Sequence, residues 1–176
     1  PIYKRTGPKC EKTNYRPIAL LPTISKICES VIYSRLLEHC LSNNILSERQ
    51  AAYVKGDSTT NQLLYIVHQI RSAWGKSNIL EAIFLDIEGA FDKIWHKGLI
   101  AKLNQICIEG KLLKTFQSYL TNRKQIVVID GHKSNIENIT AGCPQGSKLG
   151  PILFLIFIDD IQKDIESEIR LSADNT

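Results

Sequence analysis

The chain has 176 residues, 43% of them hydrophobic, with 22 Lys and Arg against 18 Asp and Glu and no Met. This is enough apolar content for one closed core, and a charged fraction of only 23% excludes general disorder. The longest apolar run, Ile152 to Ile158, is far short of the ~20 residues a membrane helix needs.

Residues 1–22 carry Pro1, Pro8, Pro17 and Pro22 and read as an irregular lead-in. Ile24, Ile27, Cys28, Val31, Ile32, Leu36 and Cys40 then recur at helical spacing. They predict a helix from Ser25 to about Leu41, capped by Thr23 or Ser25 and stopped by Asn43-Asn44. Residues 45–58 read as extended or looped. Ser58 or Thr59 caps a second helix with Leu63, Val67, Ile70 and Trp74 on one face, and Gly75 ends it. Ile79–Asp86 has the composition and length of a strand that closes on an aspartate.

Two short helices are predicted at about 96–108 and 111–121. Gln-Ile-Val-Val-Ile running into Asp130-Gly131 predicts a hairpin across Lys124 to Thr140. A Gly/Pro loop over 141–150 leads to Pro151, read as the first residue of a helix reaching about Glu166. Glu168 to Ala173 reads as a strand ending at Asp174.

The first 55 residues hold 9 basic and 4 acidic side chains, and the remainder 13 and 14. A basic first third points to a phosphate-rich partner, although it also suits an ordinary solvated surface. The five cysteines (10, 28, 40, 107 and 143) have neither a C-x-x-C nor a Cys/His spacing, which argues against disulfide framework and zinc site alike. Cys28, Cys40 and Cys107 fall on apolar faces of predicted helices and are expected to be buried thiols in a reducing, intracellular compartment. The sequon Asn138-Ile-Thr140 is then a chance match. No apolar leader follows Pro1-Ile-Tyr-Lys-Arg5, so no secretory signal is expected, and the missing Met suggests a piece of a longer protein.

Two places carry chemistry. Asp86 and Asp174 each close a predicted apolar strand, where a lone carboxylate is costly without a cation or hydrogen bonds. On neighbouring strands the two would meet at one edge and hold a divalent metal, the arrangement used in phosphoryl or nucleotidyl transfer. Alternatively each is a strand-end or turn residue. The loop Gly142-Cys-Pro-Gln-Gly-Ser-Lys-Leu-Gly-Pro151 brings glycines to a helix N-terminus, where backbone N–H groups suit a nucleotide or phosphate. It lacks the order of a P-loop, and a plain βα turn is the other reading. Asp92 and His96 read as surface or capping residues. Asp159, Asp160 and the acids up to Glu168 read as the polar side of a helix.

Four segments in order resemble the reverse transcriptase of non-LTR (LINE-type) retrotransposons, jockey-like elements above all. They are Asn14-Tyr-Arg-Pro-Ile-Ala-Leu-Leu-Pro22, Phe84-Leu-Asp-Ile-Glu-Gly-Ala-Phe-Asp-Lys-Ile-Trp-His96, Gly142 to Phe154, and Ser172-Ala-Asp-Asn-Thr176. The resemblance implies an α+β fold: fingers and a partial palm of a right-hand polymerase, with the thumb absent. Residues of about 1–80 would be fingers-like and about 81–176 palm, with inserted helices and a hairpin. It implies RNA-directed DNA polymerisation, in which a primer 3′-OH attacks the α-phosphate of a dNTP on two Mg²⁺ ions, with Mn²⁺ as a substitute.

The resemblance also assigns roles. Asp86 and Asp174 are implied catalytic residues and metal ligands, with the Ile87 carbonyl beside Asp86, and Asn175 completes the catalytic set. Phe91 would lie under the incoming sugar and exclude a 2′-OH, or else be plain core. Lys55, Gln145 and Gly146 would face the nucleotide; Arg16, Pro144 and Gln145 would face nucleic acid. Implied partners are an RNA template, a DNA primer, dNTPs and the missing palm and thumb segments, with no membrane and a location in nucleus or cytoplasm.

The pattern also departs from the family. Ser172 replaces an aromatic and Asn175 an aspartate, and an amide oxygen is a poorer Mg²⁺ ligand than a carboxylate. Val54 and Asp57 stand where an Arg and a basic residue are usual, and Lys55 substitutes only as a point charge. A degenerate or partial copy is therefore expected. One alternative is a relic that binds nucleic acid without catalysis. Another is a haloacid-dehalogenase-like phosphatase suggested by Asp86-Ile-Glu88, against which the Pro-Gln-Gly loop argues.

Overall fold

A computed structural model of the chain describes residues 1–47, 49–51 and 58–172. In order the elements are β1 (Ile2–Tyr3), β2 (Tyr15–Arg16), α1 (Thr23–Ser42), α2 (Thr59–Gly75), α3 (His96–Gln105) and α4 (Gly110–Leu120). They continue through β3 (Arg123–Gln125), β4 (Val128–Ile129), β5 (His132–Lys133) and β6 (Glu137–Ile139) to α5 (Leu149–Ile158).

The apolar run decides where the core forms. Eight of the ten residues of α5 are buried, as expected of a helix that is hydrophobic all round. Around it pack Leu36 and Cys40 of α1, Leu99 and Leu103 of α3, and Phe116 and Leu120 of α4. Each faces the core at i, i+4 spacing, so each helix contributes one stripe. The hairpin forms around Asp130-Gly131, whose φ values of 49° and 80° give both central residues the left-handed conformation of a tight hairpin turn. Its two ladders, Val128↔Lys133 and Arg123↔Ile139, differ in register by one residue, so the returning strand carries a bulge near Asn135 and Ile136.

Several expectations are corrected. The lead-in is ordered by pairing: β1 and β2 are antiparallel, Ile2 opposite Arg16 and Tyr3 opposite Tyr15. The helix α1 has no side-chain cap, since Pro22 precedes its first turn. In its first half Ile24, Ile27, Cys28 and Val31 are exposed. The cap of α2 is as expected, with Ser58 accepting from the Asn61 N–H at 3.2 Å. The apolar face of α2 is bare, however, with Trp74 81% exposed.

Residues 79–86 form no strand. Within them only Asp86 takes a bridge position, and Ile79 (98%) and Phe84 (75%) are exposed. A buried strand needs a hydrogen-bonded neighbour, and the described residues give this segment no ladder. Of residues 168–172 only Leu171 and Ser172 hold bridge positions, Leu171 in a parallel bridge to Gln50, and Ala173 and Asp174 of that expected strand lie outside the described residues.

The last helix starts before Pro151 and stops at Ile158, followed by a 3₁₀ turn over Asp159–Gln162. Both aspartates turn away to make tertiary bonds: Asp159 accepts from the Ser47 N–H at 2.9 Å, and Asp160 pairs with Lys102. The acids from Asp159 onward are thus not one solvated helix face.

Cys40 and Cys143 are buried, whereas Cys10, Cys28 and Cys107 are exposed. Cys107 is not on a helix face but in the α3–α4 turn, at φ 63°. Burial pushes the Cys40 thiol up to about 11 and the Cys143 thiol up to about 12. At pH 8 the folded chain is therefore expected to incorporate three iodoacetamide groups, and five only after denaturation. Mass spectrometry counts them, and rapid labelling of Cys143 in the folded state would contradict this packing.

Candidate functional site

An open groove of about 790 Å³ is walled by the β1–β2 hairpin, residues 86–92, and the loop before α5. Asp86, Ile87, Phe91, Arg16, Pro144, Gln145 and Gly146 all line it. These candidates come from three separate stretches of sequence. Lys55, Asp174 and Asn175, together with Val54 and Asp57, lie outside the described residues.

The first wall is set by hairpin pairing. The Lys4 N–H donates to the Asn14 carbonyl at 2.8 Å, and the Tyr3 and Tyr15 rings lie 5.4 Å apart. This brings two cations, Lys4 and Arg16, to the groove. Sequence reasoning missed Lys4 individually, and the basic charge of the first third was its only signal.

The second wall turns at Gly89, at φ 66°, whose carbonyl accepts from the N–H groups of Asp92 and Lys93 at 2.9 and 3.0 Å. The Phe91 ring is half-buried against Phe154 at 5.1 Å, as a core residue would be, and the residue also lines the groove. Packing against α5 fixes this wall to the core. Glu88 is exposed and pairs with Lys93 at 3.7 Å.

The loop is held to that wall by five hydrogen bonds. The Gly142 and Cys143 N–H groups donate to the carbonyls of Ile94 and Phe91, each at 2.8 Å. His96, 8% exposed, reaches the Gly142 carbonyl through Nε2 at 2.8 Å. A carbonyl can only accept, so Nε2 carries the hydrogen. The Gln145 side-chain amide donates to the Asp92 carboxylate at 2.9 and 3.1 Å, while the Gln145 backbone carbonyl accepts from the Ala19 N–H at 2.8 Å.

Asp92 is therefore exposed, as a surface residue should be, and also anchors the loop, whereas His96 is a buried loop anchor rather than a surface or capping residue. Their partners lie 53 and 46 residues away, so no local pattern marked them.

The donor set fits a hard divalent cation in kind. Asp86 is exposed to the groove and Ile87 lies next to it, offering the oxygens such ions prefer. Among the described residues no group of three or more His, Cys, Asp or Glu converges, although Glu88 and Asp92 line the same groove as Asp86. No helix among the described residues is long and apolar enough to cross a membrane.

Residues 2–175 match the family described as Reverse transcriptase (RNA-dependent DNA polymerase). The chain is 37% identical over 165 residues to the probable RNA-directed DNA polymerase from transposon X-element of Drosophila melanogaster, covering 93% of this chain and 18% of that protein. It is 35% identical over 160 residues to the RNA-directed DNA polymerase from mobile element jockey of the same organism, covering 91% and 17%. Against the probable polymerase from transposon BS, also of Drosophila melanogaster, identity is 34% over 160 residues, covering 91% and 18%. The chain thus spans less than a fifth of the length of these curated relatives.

Proposed function

Because the chain belongs to the reverse transcriptase (RNA-dependent DNA polymerase) family, we propose that it builds the nucleotide and template side of a non-LTR retrotransposon polymerase. The reaction is transfer of a nucleotidyl group from a dNTP to a primer 3′-OH, directed by an RNA template. The observation that carries this reading is the convergence of Asp86, Phe91, Arg16 and the Pro144-Gln145-Gly146 loop on one groove. This rules against the phosphatase alternative, which has no use for the loop. We assign about 1–80 to fingers and about 81–176 to palm, acting with further palm and thumb segments, inside the cell in nucleus or cytoplasm.

Asp86 and the Ile87 carbonyl would hold Mg²⁺, or Mn²⁺ in its place, together with Asp174. Bound there, the ion supplies positive charge to the phosphoryl oxygens as the 3′-OH attacks. The chain's own part is positioning. Phe91, stiffened by Phe154, forms a floor for the sugar and leaves no room for a 2′-OH. Gln145, already bonded to Asp92, and Gly146, at φ 101°, present a fixed loop to the base pair. Arg16 and Lys4 face template phosphates, and Lys55 adds a point charge for the triphosphate.

A second reading, a relic that binds nucleic acid without catalysis, is favoured by one residue, Asn175. Templated dNTP incorporation with Mg²⁺ separates the two. It is measured in a polypeptide carrying the remaining palm and thumb, with the parent beside Asn175→Asp. Restoring the carboxylate is expected to raise incorporation at least about tenfold, equivalent to roughly 1.4 kcal/mol of barrier. Filter binding of primer-template without incorporation in either protein would leave only the relic.

A further inference from the structure

Glu29 is a buried charge that the groove contacts leave unexplained. It is 3% exposed and is the sole buried residue in the first half of α1. Its Oε2 accepts the Ser147 hydroxyl at 2.9 Å and the Lys148 backbone N–H at 2.7 Å. Ser147 has a single hydroxyl hydrogen and gives it to Glu29, so in the 2.6 Å contact between them Tyr119 donates and Ser147 accepts. The Ser147 oxygen also receives the N–H groups of Leu149 and Gly150 at 3.1 and 3.2 Å. Tyr119 keeps its proton well above the usual tyrosine range, mainly through burial.

Packing alone does not call for a carboxylate here. An aliphatic side chain would fill the same space without the desolvation cost, and Oε1 is buried with no hydrogen-bond partner among the described residues. What the carboxylate does is fix the end of the loop. Asp92 and Ala19 hold Gln145 on the groove side, while Glu29 holds Ser147 and Lys148 two and three residues on, from the core side.

We infer that Glu29 is a positioning residue for the nucleotide-facing loop: through Ser147, and with Tyr119 behind it, it sets where Gln145 and Gly146 stand against the groove. This inference rests on the polymerase reading of the groove. It implies that removing the acceptor weakens nucleotide binding more than the chemical step.

The test compares Glu29→Gln, Glu29→Leu and Ser147→Ala. The glutamine keeps an oxygen for Ser147 and Lys148, and the leucine keeps bulk alone. Two readouts are taken in the Asn175→Asp polypeptide with palm and thumb: amide exchange at residues 148–150, and dNTP KM against kcat. Glu29→Leu and Ser147→Ala are expected to speed exchange and raise KM by roughly tenfold or more, with kcat little changed. Glu29→Gln should stay within about threefold of the parent in both, because the acceptor survives.

Parent-like exchange in Glu29→Leu overturns the inference. So does a fall in kcat at constant KM, or a glutamine as damaging as the leucine. If Glu29→Leu does not fold, Ser147→Ala carries the same comparison. If the parent incorporates no nucleotide, the polymerase reading fails by itself, and exchange alone decides the role of Glu29.

Discussion

Asp86→Ala is expected to lower templated nucleotide incorporation by a factor on the order of 10³ or more, measured by primer extension in the Asn175→Asp polypeptide. Asp86 is exposed and lines the groove together with Ile87 and Arg16. Charge stabilisation by a bound cation is worth several kcal/mol in the transition state, and each ~1.4 kcal/mol is a factor of ten. The substitution removes no core contact, so the melting temperature should move by no more than about 2 °C. Glu88→Ala is the matched control, because Glu88 lines the same groove but is exposed and pairs only loosely with Lys93. An Asp86→Ala protein that extends primers at the undiminished rate would remove Asp86 from the site. So would an equal loss in Glu88→Ala.

Gly142→Ala should be the most damaging conservative change in the fold. Gly142 sits at φ 81°, and an added Cβ would lie 2.6 Å from the Asp92 carbonyl oxygen and 2.8 Å from its carbonyl carbon and Cα. All three are backbone atoms and cannot rotate away as a side chain does. Left-handed strain of about 1–2 kcal/mol and overpacking of about 1–3 kcal/mol add to roughly 2–5 kcal/mol. For a chain of this size that is a fall of roughly 5–15 °C in melting temperature. The collision also pushes the loop off its bonds to Ile94 and His96, so Gln145 would lose its place on Asp92. Gly75→Ala is the contrast: at the end of α2, with nothing within 4 Å of its Cβ position, it should be neutral or gain up to about 1 kcal/mol. Calorimetry on the two variants reads both effects, and a Gly142→Ala protein melting with the parent would contradict the described loop.

Much of the fold could be read from neighbouring residues. The helices at 96–105 and 110–120, the turn at Asp130-Gly131 and the Ser58 cap follow from periodicity and turn chemistry within a few residues. Where reading failed, the missing information was a distant partner. Ile79–Asp86 has a strand's composition, but a strand also needs a ladder, and the described residues give it none. The apolar positions of α1 repeat along its whole length, yet only Leu36 and Cys40 among them are fully buried, because burial depends on which neighbours pack there and not on the spacing. Proline at 151 suggested a helix start, whereas the first turn is organised earlier by Ser147 and Glu29.

The candidate site divides along the same line. Sequence by itself determined the chemistry on offer: an aspartate at 86, an aromatic at 91, a Pro-Gln-Gly loop at 144–146, a basic first third and the family these form in order. Composition and local spacing suffice for that, because they state which groups exist and which faces they share along one element. Tertiary structure alone decided which of those groups meet, and what holds them there. His96 on Gly142, Asp92 on Gln145 and Glu29 on Ser147 are contacts across 46, 53 and 118 residues. Such bonds depend on the packing of α5 against α1 and α3, because burial of the apolar run holds partners that are distant in sequence within reach.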